Sequence, residues 1–275
     1  IASNNPLYLL DLGNIYWADN KTKKAEEQFE FALKYINGDD VLTQQMANTF
    51  SNSGKDEWAI KTYERAATII QVPGIYNATL AKLYNKKGDV EKAISLVIEG
   101  AQNQMQMTGD ETIEVTLLEI MGNDAERQKK AQKAIIKLVN AQPDNYYYTY
   151  LLIWIFSVQN SWEQALAQVQ ALEKRSNDKG RLILDFAQKA IQKNEFEIAE
   201  KSLNTIIAYG NTNPKYRYAR EMLLQMKLTK LQQETTISKT NIEQCSKDFD
   251  SYFKEFPDAF GRSVLHDYAL LEAQY

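Results

Sequence analysis

The feature that most limits how this chain can fold is an interval. Three alanines, Ala25, Ala59 and Ala93, stand 34 residues apart, and each belongs to a recurring set. Four residues after each comes a bulky apolar side chain, Phe29, Tyr63 or Val97, and three further on a small residue, Ala32, Ala66 or Gly100. Twelve residues before the alanines stand Gly13, Ala47 and Ala81, followed three later by Tyr16, Phe50 and Tyr84. Spacings of three and four put residues on one face of a helix, so each unit reads as two helices. Small residues on both helices let the backbones approach, and the rings fill the space beside them. Between the helices each unit carries a residue that tolerates left-handed backbone: Asn20, Gly54 and Gly88.

The phase continues after one slip, with Ala131 lying 38 residues beyond Ala93, then Ala165 and Ala199 at 34 and 34, with Asn160 and Asn194 in the turns. The next equivalent small residue is Cys245, 46 on, which calls for an insertion of 12 residues. The polar stretch Leu228 to Asn241 is its expected place, a long loop. Asn5-Pro6, Pro143-Asp144, Asn213-Pro214 and Pro257-Asp258 mark unit starts, where proline is tolerated in a first helical turn. The expected units are 6–39, 40–73, 74–107, 108–145, 146–179, 180–213 and 214–257, followed by a closing helix over 258–275. On that helix Phe260, Val264, Leu265, Tyr268 and Leu271 share the face that would cover the last hairpin. A hairpin of this size cannot bury its apolar face alone, so the units are expected to stack into one continuous core.

Leu12-Gly13, Tyr16, Ala25, Phe29 and Ala32, with Pro143 and Pro257 at unit ends, resemble the tetratricopeptide repeat pattern over nearly the whole chain. That resemblance implies an all-α, right-handed superhelical solenoid of about seven antiparallel hairpins spanning 1–275, in a fragment of a longer bacterial repeat protein. The family's early tryptophan is missing from the first unit, where Leu9 stands. Unit four lacks a small residue on its first helix, and irregular packing is expected there.

Composition removes several function classes. The 32 basic and 36 acidic side chains are interspersed and give a net charge of -4, which argues against a nucleic-acid partner. The densest basic stretch, Arg127 to Lys137, reads as the solvated face of one helix. The longest nearly unbroken apolar run is Tyr150 to Val158, far short of the ~20 residues of a membrane-spanning helix. The single cysteine excludes an internal disulfide and a multi-cysteine metal site. Cys245 occupies a packing position and His266 has no motif around it; no phosphate-cradling glycine loop or hydrolase signature occurs. No enzyme, cofactor or metal site is therefore expected. The chain starts at Ile1 with no leader, so any targeting segment is expected outside these residues, and the compartment stays open between cytoplasm and cell envelope, with export favoured.

In the family the first helix of each hairpin lines a concave ligand groove. Carried to this sequence, the groove residues are Leu10, Asn14 and Trp17 in the first unit, Gln44 and Asn48 in the second, and Lys82 in the third. Asn14 and Asn48 lie 34 apart, and an amide supplies both the donor and the acceptor that an extended peptide backbone needs. The family's clamp for a C-terminal carboxylate is not expected, because Leu10, Gln45, Ile75 and Thr79 replace its other residues. In the fifth unit Tyr147, Tyr150 and Trp154 fall on one helical face, and Leu152, Ile153 and Phe156 on the packing side. Such a cluster either grips apolar side chains or sugar rings, or fills the core. The expected function is a non-catalytic scaffold for a protein or peptide, of open oligomeric state. The alternatives are a cell-envelope or carbohydrate-binding assembly component, or a regulatory segment of a larger enzyme or sensor.

Overall fold

The computed structural model describes residues 5–103, 113–233, 238–258 and 263–274. Among them are fifteen α-helices and no strand, and backbone contacts divide the chain into two compact units, 1–141 and 142–275. The first unit holds α1 (Pro6–Ala18), α2 (Thr22–Leu33), α3 (Asp40–Asn52), α4 (Asp56–Ile70), α5 (Asn77–Lys87), α6 (Val90–Asn103), α7 (Ile113–Met121) and α8 (Ala125–Ala141). The second holds α9 (Tyr146–Val158), α10 (Trp162–Ser176), α11 (Arg181–Gln192), α12 (Phe196–Ile207), α13 (Tyr216–Gln233), α14 (Lys239–Glu255) and α15 (Ser263–Gln274). Consecutive helices pack as hairpins, α1 on α2 through α13 on α14. In the first unit, first helices also touch first helices, α1 on α3 and α5 on α7, and second helices touch second helices, α2 on α4 and α6 on α8.

The small-residue register is a packing register. Ala25, Ala59, Ala93, Ala131, Ala165 and Ala199 are all fully buried, as are their partners Ala32 and Ala66. Gly13 is the tightest of the close approaches, because the Phe29 ring occupies the space a β-carbon would need. The turns repeat as well. Asn20, Gly54, Gly88, Asn160 and Asn194 all have positive φ. The residue after each donates its N–H back into the preceding helix, as Lys21 does to Tyr16 O (2.9 Å) and Lys55 to Phe50 O (2.9 Å). Asp89 to Tyr84 O, Ser161 to Phe156 O and Glu195 to Ala190 O repeat it, so each turn satisfies carbonyls that the helix end leaves open.

Helix starts follow from side-chain oxygens aimed at free amides. Asn5 accepts from Leu7 N, Asp39 from Leu42 N and Asn145 from Tyr147 N. The expected long loop is largely helix instead. α13 continues through Leu228 and Leu231, both buried against Cys245 and Phe249 of α14, and α14 begins at Lys239. Apolar positions at 224, 228 and 231 extend the packing stripe, so the extra residues lengthen the hairpin. Residues 234–237 lie outside the described ones. On α15, Val264 and Leu271 are buried over this cluster, with Leu265 and Tyr268 packed at its edge, as expected for a closing helix; Phe260 lies outside the described residues.

Candidate partner-binding site

The amide face of the first unit is built by helical spacing on α3 and α5. On α3, Thr43, Met46, Ala47 and Phe50 are buried, which turns Val41, Gln44, Gln45, Asn48 and Asn52 to solvent. On α5, Leu80 and Ala81 are buried, and Thr79, Lys82 and Lys86 are exposed. Gln45 and Thr79 lie 34 apart, as do Asn48 and Lys82, so two successive hairpins present polar side chains in one register. Gln44 is partly engaged, donating its Nε2 to Asp40 Oδ2 at 2.8 Å. Lys86 pairs with Asp56.

Three of the residues expected in this groove sit elsewhere. Leu10 is 0% exposed and belongs to the core, because α1 packs on both α2 and α3 and its 10 position falls between them. Trp17 is 39% exposed but engaged: its ring centroid lies 6.3 Å from that of Phe29, and Lys55 Nζ sits 5.3 Å from its centre. It joins the first hairpin to the second at their turns. Burial in this contact lowers the Lys55 pKa. Asn14 does not match Asn48 in depth, since it is half-buried with Oδ1 covered and without a hydrogen-bond partner, whereas Asn48 is exposed. Conversely, Gln45 and Asn52 share the Asn48 face, and the 41, 45, 48, 52 spacing was the available signal for them.

In the second unit Tyr150 is 44% exposed, and Tyr147 and Trp154 are half-buried on the same face of α9. The ring that fills the core is Tyr148, fully buried and edge-on to Tyr147 at 6.3 Å. Leu152 and Phe156 are buried as expected, and Ile153 is half-buried. The three aromatic positions and the amide face belong to different units, each described by itself.

Alternating first and second helices, buried small residues at 34-residue spacing and left-handed turn residues in step with them define the repeat. The hairpins are of the tetratricopeptide type. No protein-family model matches this sequence, and no curated protein is significantly similar to it. Among solved structures, the C-terminal part of a tetratricopeptide repeat protein from Cytophaga hutchinsonii is 13% identical with a TM-score of 0.35, over 94% of this chain and 98% of that one. The TPR2AB domain of yeast Sti1, solved as a complex with pHSP90, is 16% identical with a TM-score of 0.31, over 97% and 98%. YrrB, described as a tetratricopeptide repeat protein with an unusual peptide-binding site, is 18% identical with a TM-score of 0.31, over 66% and 91%. These superpositions are loose, and the repeat assignment rests on the register of this chain's own residues.

Groups able to do chemistry are dispersed over the tetratricopeptide-type scaffold. Among the described residues no group of three His, Cys, Asp or Glu side chains could hold a metal ion, and no helix is long and apolar enough to cross a membrane. His266 projects into solvent 3.9 Å from Asp267. Cys245 is buried, and desolvation of its thiolate pushes the thiol up to about 11. Iodoacetamide at pH 8 is therefore expected to label Cys245 at least tenfold more slowly in the folded protein than in urea. The neutral thiol contributes stability below its unfolded value of 9.0 that is lost as the pH rises through about 11. Equal labelling rates in both states would show that the thiol is reachable.

Proposed function

We propose that the protein is a non-catalytic scaffold that holds an extended segment of a partner protein on the first helices of its hairpins. The observation that carries this reading is the exposed amide row Gln45, Asn48 and Asn52 on α3, continued by Thr79 and Lys82 on α5. Amides and hydroxyls fixed on packed helices meet a peptide backbone's donors and acceptors with little ordering cost. Peptides selected from a displayed random library against the intact protein test it. Each such hydrogen bond contributes about 0.5–1.5 kcal/mol, so Gln45→Ala with Asn48→Ala should weaken the selected peptides roughly tenfold and leave the melting temperature unchanged. Peptides that bind the double variant as well as the parent would remove this face from consideration.

A second reading rests on Tyr150, whose exposed ring beside Trp154 suits apolar side chains or sugar rings, as a carbohydrate-binding or envelope-assembly component would need. Under it, Tyr150→Ala with Trp154→Ala costs about 2 kcal/mol in binding of soluble oligosaccharides or selected peptides, as interface hot spots do.

A further inference from the structure

The basic run of α8, a solvated face by its sequence alone, borders a groove. Between α6 and α8 in the first unit lies an open trough of about 480 Å³. Its floor is apolar: Ile94 and Ile98 of α6 are almost wholly buried beneath it, and Ala134 and Leu138 of α8 are half-covered at its side. Along the α8 rim stand Lys130, Lys133 and Lys137, and along the α6 rim Glu91 and Glu99. Lys130 is held by Glu91 at 3.3 Å. Lys133 and Lys137 are exposed and make no hydrogen bond or ion pair among the described residues.

We propose that this trough docks a short acidic amphipathic helix of a partner protein. Two second helices packed side by side leave a groove of the kind a third helix fills by its apolar ridge. The spacing of Lys130, Lys133 and Lys137 is i, i+3, i+7, so the rim repeats along the helix axis at the same pitch as carboxylates placed at i, i+4 and i+7 on the incoming helix. Charge complementarity selects the occupant. In a chain with net charge -4, two adjacent lysines without counter-ions above an apolar floor attract carboxylates, and the floor covers itself only with apolar side chains. Nucleic acid fits less well, because its phosphates would face Glu91 and Glu99 across the trough and leave the floor wet. The site is formed by second helices, so it is separate from the amide face on α3 and α5.

The test uses the intact protein and two fluorescent lactam-stapled peptides that share leucines at i, i+4 and i+7 and differ only in flanking glutamates or lysines. Anisotropy at 0.15 M salt, a condition of about 8 Å screening length, is expected to show the acidic peptide binding at least tenfold tighter than its basic twin. Lys133→Glu with Lys137→Glu should weaken the acidic peptide about tenfold without changing the melting temperature, because both side chains are exposed. Gln45→Ala with Asn48→Ala should leave it unaffected. The proposal is overturned if the acidic peptide does not bind, if the twins bind alike, or if the double charge reversal leaves affinity intact. It is equally overturned if a single-stranded oligonucleotide or a phosphatidylserine vesicle binds tighter than the acidic peptide and is lost in the same variant.

Discussion

Phe29→Ala is expected to cost the first unit about 3–5 kcal/mol, read as a drop in the urea midpoint of unfolding. The ring is fully buried and is the hub of a cluster that spans two hairpins. Its centroid lies 5.0 Å from Phe50 and 5.2 Å from Trp58, both edge-on, and 6.3 Å from Trp17. Truncation would remove apolar area, break these ring contacts and leave a void that α1 and α3 cannot both collapse into. The same ring explains Gly13. A β-carbon there would stand 2.6 Å from Phe29 Cδ1 and closer still to Cε1, so Gly13→Ala forces the ring or the helix to move. Alanine is better than glycine in a helix by about 1 kcal/mol, whereas overpacking costs about 1–3 kcal/mol, so the net effect in the parent protein is destabilising. In the Phe29→Ala background the obstacle is gone and Gly13→Ala should stabilise. A double-mutant cycle measures this change of sign. Additive effects would mean that the ring does not require the missing β-carbon.

The repeat was legible because it is written in residue size and recurs in register. Ala25, Ala59 and Ala93 are informative together, each alanine alone being ordinary. Turn residues were legible for a similar reason, since left-handed backbone admits few residue types at low cost, and Asn20, Gly54 and Gly88 all adopt it. Depth was harder to read. Leu10 and Asn48 both lie on first helices, yet one is core and the other solvent, because α1 contacts two neighbours at that position and the spacing rule assumed one. The stretch after Leu228 misled for another reason. Its polar composition hides two leucines that keep the helical period, and Leu228 and Leu231 suffice to hold α13 on α14. The α8 lysines were visible, but whether a lysine borders water or a trough depends on what the neighbouring hairpin leaves uncovered.

Glu173 is the clearest case of a role that no local pattern announces, and its loss should be the second most damaging substitution. In the string LEKRSN it resembles its charged neighbours, yet it is 4% exposed. The helix it belongs to, α10, ends at Ser176, and Asn177 at φ 53 and Gly180 at φ 93 turn the chain into α11. No residue at the start of α11 caps it in the usual way. Glu173 does so from the preceding helix, with Oε1 accepting from Gly180 N at 2.5 Å and Oε2 from Leu182 N at 3.1 Å. A carboxylate at a helix N-terminus also faces the positive end of its dipole. Glu173→Ala leaves two buried amides without an acceptor, at about 1–3 kcal/mol for each donor, so a loss of about 2–4 kcal/mol is expected in the second unit. Glu173→Gln keeps one acceptor but turns an N–H against the other amide, and should fall between parent and alanine variant. Hydrogen exchange separates this account from simple space-filling, because loss of the cap should accelerate exchange at Leu182 N before the rest of the unit opens. If Glu173→Ala unfolded at the parent's urea concentration with Leu182 still protected, the carboxylate would be dispensable and the hairpin junction would be held by packing of Leu182 and Ile183 alone.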